Sequence, residues 1–238
     1  MRLDLALVDR RLARSRTHAS LLIADGRATV NGRVVRKPST PVGPTDVLTA
    51  DAEPWVSRAA HKLIGALDGA GISVQGRVLD AGASTGGFTQ VCLERGASLV
   101  YAVDVGHGQL APALRADPRV RVHEGLNLRS LNLDHIDGVP VDLVVGDVSF
   151  ISLRLLLPQL LSVLAPDGEA LLLVKPQFEV GRELLGSGGL VRDDDARRRC
   201  VDDVVLAANE LGWSERWRAR SALPGASGNV EYFVHLTR

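Results

Sequence analysis

Residues 78–88 read VLDAGASTGGF, an apolar run that ends in Asp80 and continues into a glycine-rich turn. The run is rich in strand-forming residues, and FTQVCLERGA after the glycines has a helical pattern of apolar positions. Glycines between a strand and a helix let the backbone approach a ligand closely. The stretch therefore predicts an α/β fold that binds either a dinucleotide or S-adenosylmethionine at this loop.

Two carboxylates distinguish between these two candidate ligands. Asp80 at the tip of the strand would repel a pyrophosphate, whereas S-adenosylmethionine has no phosphate and carries an amino group and a sulfonium. Asp104 ends the next predicted strand, 24 residues after Asp80, where a carboxylate can accept both ribose hydroxyls of an adenosine. The alternative is a tight turn capped by Ser84 or Thr85 without a ligand. We expect S-adenosylmethionine, bound by Asp80, Gly82, Ser84, Thr85, Gly86, Gly87, Phe88, Asp104 and Asp147.

The chain around this loop alternates between strand and helix patterns. The predicted strands are RVLDA, SLVYAVD, RVRVHE, VDLVVGDV and ALLLVKP, with helical patterns such as FTQVCLERGA and LRLLLPQLLSVL between them. A charged helix from about Asp193 and two strands, around residues 216–220 and 232–236, follow. Alternation of this kind predicts a mostly parallel, seven-stranded sheet with helices on both faces.

Residues 1–50 predict a separate small α+β module. Two helical patterns are followed by ATVNGRVV, in which Asn31-Gly32 is a strong hairpin signal, and DVLTA returns to strand character. We expect a module at 1–50, a linker at 51–57 and a catalytic domain at 58–238. The module has nine Lys and Arg against four Asp and Glu, so its formal charge is +5 and that of the remainder is −5. This asymmetry suits phosphate binding, although a solvated charged face explains the charge equally well.

The bulk composition excludes several classes of protein. No apolar run in the 238 residues is long enough to span a bilayer, and no cleavable leader is recognisable. Cys92 and Cys200 lack the spacing of a metal site or a disulfide framework. These features predict a cytoplasmic protein that holds no metal and has no membrane partner, and they leave its oligomeric state open.

The end of the strand VDLVVGDV bears on the methyl acceptor. Asp147-Val148-Ser149-Phe150 stands where enzymes that methylate exocyclic amines have Asn or Asp followed by Pro-Pro-aromatic. Methylation of a pyrimidine carbon needs a cysteine nucleophile, and neither cysteine has that setting. Oxygen is therefore the expected acceptor.

Charged residues suited to activating a hydroxyl are also visible. Lys175 ends the apolar strand ALLLVKP, where its ammonium would reach the carboxyl edge of the sheet beside Asp147. Lys62 lies on a predicted helix and Glu231 opens the last strand. The alternatives are that Lys62 is solvated and that Glu231 is a residue of a turn. Lys175 differs from them, because a charge at the end of a buried strand is rarely without a function.

Five ordered motifs carry a family resemblance: RAAHKL from Arg58, DAGASTGGFT, DVSFIS, LVKPQFE and GNVEYF. Together they resemble the TlyA (haemolysin A) family, whose catalytic half is similar to the FtsJ-type ribosomal RNA 2′-O-methyltransferases. Residues 1 to about 50 resemble an S4 RNA-binding domain. The resemblance implies a Rossmann-like class I methyltransferase fold and a catalytic tetrad of Lys62, Asp147, Lys175 and Glu231, with Lys175 nearest the 2′-hydroxyl.

The resemblance also implies the substrate, cytidine ribose in ribosomal RNA or a ribosomal subunit. The chain begins almost at the first S4 motif and ends with EYFVHLTR, which favours the large subunit over the small one as the expected target. A departure from the family is Glu53-Pro54, in a junction that is usually more basic. The alternatives are a membrane-active haemolysin and a small-molecule O-methyltransferase.

Cations of the N-terminal module are the expected RNA contacts. They are Arg2, Arg10, Arg11, Arg14, Arg16, Arg27, Arg33, Arg36 and Lys37. Aromatic residues make up only 4% of the chain, so Phe150, Phe178 and Trp55 are the few that could stack on a displaced nucleotide. We expect each of the three in the core instead, and Arg197, Arg198 and Arg199 on a solvated helix face.

Overall fold

The computed structural model describes residues 1–13, 15–51 and 54–238. It divides into two compact units, Met1–Pro54 and Trp55–Arg238. Arg14, expected to contact RNA, and Ala52 and Glu53 of the expected linker lie outside the described residues.

The smaller unit contains two helices and a three-stranded antiparallel sheet. These are α1 (Leu3–Asp9), α2 (Arg16–Ala24), β1 (Ala28–Val30), β2 (Arg33–Val34) and β3 (Leu48–Ala50), in the sheet order β2-β1-β3. Ser15 caps α2 by accepting the His18 N–H. Asn31 and Gly32 both have positive φ, 51° and 77°, which a two-residue hairpin turn requires. Helix α1 ends at Asp9, and Arg11 takes a left-handed φ of 58° that does not continue a helix.

The larger unit contains one seven-stranded sheet. Its helices are α3 (Ala59–Ala70), α4 (Gly87–Arg95), α5 (Pro112–Arg115), α6 (Leu157–Ser162), α7 (Pro176–Glu179) and α8 (Asp194–Glu210). Its strands are β4 (Arg77–Ala81), β5 (Leu99–Asp104), β6 (Val120–Glu124), β7 (Val141–Gly146), β8 (Leu164–Val174), β9 (Ser214–Arg220) and β10 (Tyr232–Thr237). Short 3-10 helices occupy Leu128–Ser130, Leu133–Ile136, Leu153–Leu155, Arg182–Leu184 and Ser187–Gly189.

The sheet order is β6-β5-β4-β7-β8-β10-β9. Strands β4 to β8 pair in parallel, whereas β10 is antiparallel to both of its neighbours. Each face of the sheet has its own apolar core: successive residues of β4, such as Val78 and Leu79, belong to opposite cores. The predicted sheet with covered faces is therefore confirmed.

Two elements differ from their predicted extents. Strand β8 begins at Leu164 rather than near Ala170, because the Pro-Asp-Gly at 166–168 lies within a register shift against β7 and does not end the pairing. The single helix predicted over 153–164 is a 3-10 turn followed by α6, and Pro158 stands in the first turn of α6, where its missing N–H costs nothing.

Cys92 and Cys200 are both buried and unpaired. The described residues contain no group of three or more His, Cys, Asp or Glu side chains arranged to hold a metal ion. In the same part of the chain, no helix has both the length and the apolar character needed to cross a membrane.

Candidate active site

A cavity of about 620 Å³ opens at the carboxyl edge of the sheet, beside β4, β5 and β7. The chain runs from β4 outward through β5 and β6 and then returns to place β7 on the other side of β4, so this edge is the topological switch point where α/β sheets bind ligands. Its wall contains Gly82, Ser84, Asp104, Val105, Gly106, Gln109, Leu126, Asn127, Leu128, Arg129, Asp147, Val148, Ser149, Phe150, Ile151 and Leu156.

Gly82 is the point of closest backbone approach in this wall. Its φ is 84°, and a Cβ there would lie 2.9 Å from the Asp147 carbonyl oxygen. The Asp147 N–H in turn donates to the Ala81 carbonyl at 3.0 Å. The glycine-rich loop after β4 is therefore packed directly on the backbone that leaves β7, and a side chain at position 82 cannot be accommodated without movement.

Asp104 is fixed at the other side of the cavity by backbone amides. Its Oδ2 accepts the Ser84 N–H at 2.8 Å, and its Oδ1 accepts the Gly106 N–H at 2.7 Å. Each carboxylate oxygen accepts one of these two hydrogen bonds and retains a second lone pair. This arrangement suits a pair of ribose hydroxyls, the role that the sequence predicts for Asp104.

Asp80 lies beneath the loop and does not line the cavity. It is fully buried, and its Oδ2 accepts the Thr89 hydroxyl at 2.6 Å while Oδ1 has no hydrogen-bond partner among the described residues. Burial, together with the nearby charges of Asp147 and Asp104, raises the pKa of Asp80 to about 7. Direct contact between Asp80 and a cofactor therefore stays a prediction, and Thr89 is a partner that the sequence did not reveal.

A smaller cavity of about 270 Å³ adjoins the first one. It shares Gly82, Ser84, Asp147 and Ser149 with the larger cavity, and Lys175 completes its wall. The predicted loop residues Thr85, Gly87 and Phe88 also face it, as do Ser57, Arg58 and Ala59, which the sequence analysis did not select. The signal that could have found them is their position at the start of the helix that carries Lys62.

Lys175 makes the first of two ion pairs at this edge. Its Nζ lies 2.6 Å from Asp147 Oδ1 and donates to Ser149 Oγ at 2.6 Å. Strand β8 delivers Lys175 to the cavity, because the residue follows Val174 at the carboxyl end of the strand. Ser149 was not among the predicted site residues, although it lies in the same DVSF motif as Asp147.

Lys62 and Glu231 form the second ion pair, with Nζ and Oε2 2.5 Å apart and both side chains buried. The antiparallel register of β10 explains how Glu231 reaches this edge. Tyr232 pairs with Val174, so the residue before Tyr232 stands next to the residue after Val174, which is Lys175. The structure therefore brings the four predicted tetrad residues to one edge of the sheet as two ion pairs.

Phe150 lies at the mouth of the larger cavity. Its side chain is 91% exposed, its φ is 67°, and its ring centroid lies 5.4 Å from that of Phe178. The expectation that Phe150 belongs to the core is wrong: the left-handed backbone turns the ring outward. Phe178 and Trp55 are half-buried.

Comparison with known protein families identifies the family that has these features. The model of FtsJ-like methyltransferases matches residues 55–238, and the S4 domain model matches residues 1–48. The chain belongs to the TlyA family of FtsJ-like methyltransferases. This confirms the predicted family, the methyltransferase fold with an N-terminal S4 domain, and S-adenosylmethionine as the cofactor of the family.

Two curated relatives and one solved structure show the extent of the similarity. The 16S/23S rRNA (cytidine-2′-O)-methyltransferase TlyA of Mycobacterium tuberculosis is 53% identical over 99% of this chain and 89% of its own length. The 23S rRNA (cytidine-2′-O)-methyltransferase TlyA of Campylobacter jejuni is 35% identical over the whole of both chains. A protein from Lactococcus lactis that is named as a hemolysin is 44% identical, with a TM-score of 0.74 over 77% of this chain and 88% of its own.

In this TlyA family member the expected RNA-contacting cations of the S4 unit fall into two groups. Several are engaged within the unit: Arg2 and Arg16 pair with Asp4, Arg27 with Asp51, Arg10 donates to the carbonyls of Gly43, Pro44 and Asp46, and Arg36 donates to the Ala24 carbonyl. Arg11, Arg33 and Lys37 are exposed, and their side chains make no hydrogen bond or ion pair within the described part of the unit. The second group is free to meet phosphates.

The basic cluster on α8 differs from the S4 cations. Arg197, Arg198 and Arg199 pair with Asp194, Asp195 and Asp193, respectively. Their charge is therefore balanced locally, in keeping with a solvated helix face rather than a phosphate-binding surface.

Proposed function

We propose that this protein transfers a methyl group from S-adenosylmethionine to the 2′-hydroxyl of a cytidine in ribosomal RNA. The observation that carries the proposal is Lys175, which lies in the wall of the smaller cavity in contact with Asp147 and Ser149. The substrate follows from the relatives at 53% and 35% identity, both of which are named as rRNA cytidine-2′-O-methyltransferases.

The residues around the larger cavity fit the cofactor. Asp104 would accept the ribose hydroxyls, the loop at Gly82 would allow close approach, and Arg58 in the adjoining cavity offers a cation for the carboxylate of the methionine part. When bound, S-adenosylmethionine supplies a methyl group on a sulfonium that is open to attack by an oxygen nucleophile.

The acceptor hydroxyl must lose its proton as it attacks. We assign Lys175, once its ammonium has lost a proton, to accept the hydroxyl proton at Nζ; the ammonium that this transfer restores is the form that pairs with Asp147 and donates to Ser149 Oγ. The second ion pair, Lys62 with Glu231, stands beside Lys175 and sets the charge of the site. No covalent enzyme intermediate is required, since the oxygen attacks the methyl group directly.

Phe150 suits the base of the acceptor nucleotide. An exposed aromatic ring beside the cavity can stack on a base that has been displaced from its helix, and stacking of this kind contributes about 1–3 kcal/mol per base. Phe178, in contact with Phe150, would support the ring from below.

From the proposed ribosomal target we infer that the enzyme acts in the cytoplasm, and the S4 unit supports an RNA partner. The relative at 53% identity is named for both subunits and the one at 35% for the large subunit alone, so we include both in the proposal. The hemolysin name of the L. lactis relative does not favour lysis, because the curated relatives at 53% and 35% identity are named as methyltransferases. A match to the S4 domain likewise argues against a small-molecule acceptor.

The proposal is tested by methylation of isolated subunits. Purified 30S and 50S subunits from cells that lack the enzyme are incubated with protein and S-adenosylmethionine, and primer extension at limiting nucleotides maps the stops. We expect new stops at cytidines in at least one subunit. Methyl incorporation into neither subunit would refute the ribosomal substrate.

A further inference from the structure

Glu179 is a buried carboxylate that belongs to neither ion pair. It is the last residue of α7, and its side chain is 2% exposed. Its Oε1 accepts the Leu153 N–H at 2.6 Å, and its Oε2 accepts the Ser152 hydroxyl at 2.6 Å and Arg154 Nε–H at 3.3 Å. One carboxylate therefore gathers donors from three consecutive residues.

The first of these three residues, Ser152, ends the segment that forms the acceptor side of the site. This segment, residues 147–152, leaves β7 and carries Asp147, Ser149 and Phe150. Lys175 contacts its first half through Asp147 and Ser149, and Glu179 holds its far end. Since Lys175 and Glu179 stand at the two ends of α7, the one-turn helix fastens both ends of the segment.

Phe150 lies between the two attachment points. Its left-handed φ of 67° is unfavourable for a bulky side chain and persists only where the surrounding contacts impose it. The bonds to Glu179 begin two residues after Phe150, where they cap the 3-10 helix Leu153–Leu155. They are thus placed to impose the conformation that turns the ring outward.

We propose that Glu179 is a positioning residue for methyl transfer, acting by holding Phe150 where it meets the acceptor base. The inference rests on the proposed function, since it needs an acceptor nucleotide at Phe150. A merely structural role for Glu179 would lower the stability of the protein without any dependence on Phe150. A double-mutant cycle between the two residues distinguishes these roles.

The experiment compares wild type, Glu179→Gln, Phe150→Ala and the double variant. Single-turnover methylation of ribosomal subunits is measured at saturating cofactor, together with the dissociation constant for S-adenosylmethionine. Glutamine keeps the size and one carbonyl acceptor but cannot accept from all three donors. We expect Glu179→Gln to slow transfer by about 10- to 100-fold through misplacement of the ring, with cofactor affinity unchanged.

In the Phe150→Ala background, Glu179→Gln should have no additional effect on the rate. Glu183, which is exposed on the segment after α7, supplies the matched control: Glu183→Gln should transfer at the wild-type rate. If Glu179→Gln fails to fold, Ser152→Ala removes only one of the three bonds, and its smaller loss should likewise vanish when Phe150 is alanine.

The outcomes separate the inference from the proposed function. Additive losses from Glu179→Gln and Phe150→Ala, or no loss from Glu179→Gln, would overturn the role of Glu179 while leaving the base-stacking role of Phe150 intact. If Phe150→Ala transfers at the wild-type rate, Phe150 has no part in methyl transfer, and the inference about Glu179 fails with that part of the proposal. Stops mapped to ribosomal cytidines would still support the proposed function in that case.

Discussion

Individual carboxylates at the sheet edge have distinct environments, and these environments suggest distinct tasks. Asp104 is held by two backbone amides and faces a cavity. Asp147 pairs with Lys175, and Glu231 pairs with Lys62. Asp80 is buried with one hydroxyl donor. Asp104 therefore suits neutral hydroxyls, and Asp147 and Glu231 control the two lysine cations. Asp80 sets the charge beneath the loop.

Lys175 should be required for transfer but not for cofactor binding. We expect Lys175→Met, which keeps an unbranched side chain but removes the amine, to slow methylation by about 10²- to 10⁴-fold, because the hydroxyl loses its proton acceptor. Cofactor affinity, measured by calorimetry, should be unchanged. Lys175→Arg retains the charge beside Asp147 but does not release a proton, so it should not restore activity. Activity in Lys175→Arg would show that charge alone suffices.

Asp80 should make stability depend on pH. Its pKa of about 7 in the folded protein exceeds the ordinary value of 3.8, so the folded chain holds a proton that the unfolded chain releases. This contribution to stability is complete below about pH 4 and is lost as pH rises through 7. Asp80→Asn removes this contribution. In urea titrations without cofactor, the free energy of unfolding of wild type minus that of Asp80→Asn should therefore decrease as the pH rises from 4 to 8. A constant difference across that range would contradict a raised pKa.

At the scale of helices and strands, the elements that could be predicted from the sequence are those that depend on the residues within the element itself. The strands around the glycine-rich loop follow from apolar runs, and the hairpin follows from Asn31-Gly32, which tolerates positive φ. Contacts between residues distant in the chain could not be read in the same way. Ser149 meets Lys175 across 26 residues and Ser152 meets Glu179 across 27, and only the packing of α7 on the segment after β7 joins them.

Phe150 and β8 are two further features that the sequence pattern does not predict correctly. An aromatic residue within an apolar pattern was assigned to the core, but a single left-handed residue reverses the side of the chain that the ring faces. In β8, Pro-Asp-Gly has the composition of a turn, yet neighbouring strands hold it within the sheet at an irregularity. Tertiary contacts outweigh the local signal in both cases.

The glycine-rich loop allows a prediction with an internal control. Gly82 and Gly71 both have positive φ, 84° and 68°, but a Cβ at Gly82 would meet the Asp147 backbone whereas one at Gly71 would meet nothing within 4 Å. Gly71→Ala should lower the free energy of unfolding by only about 1 kcal/mol, which is the cost of the strained backbone. Gly82→Ala should lose more in urea unfolding and should also bind S-adenosylmethionine more weakly. Equal effects of the two substitutions would mean that the close approach at Gly82 has no function.

At the scale of the whole molecule, the two units divide the work. The larger unit contains the cavities and both ion pairs, and the smaller unit carries exposed cations whose side chains pair with no acid among the residues that the structure describes. An RNA substrate needs both, because phosphate contacts fix register while the site selects the hydroxyl. The formal charge of zero over the chain conceals this division.

The salt dependence of RNA binding should reflect this division. Replacing Arg11 and Arg33 together with glutamine removes two phosphate contacts, so the slope of log K against log[salt] should become shallower by about 1 to 2. The matched double variant, Arg198→Gln with Arg199→Gln on α8, removes cations that already pair with acids and should leave the slope unchanged. Filter binding over a range of salt concentrations measures both slopes. Equal slopes for the two variants would place the phosphate contacts elsewhere.

The central claim is the identity of the methylated atom. Ribosomal subunits from cells that lack the enzyme are methylated in vitro with wild type or Lys175→Met and digested to nucleosides, which are then resolved by mass spectrometry against standards. We predict 2′-O-methylcytidine as the product of wild type and its absence with Lys175→Met. A methyl group on a base, or an undiminished yield with Lys175→Met, would contradict the account.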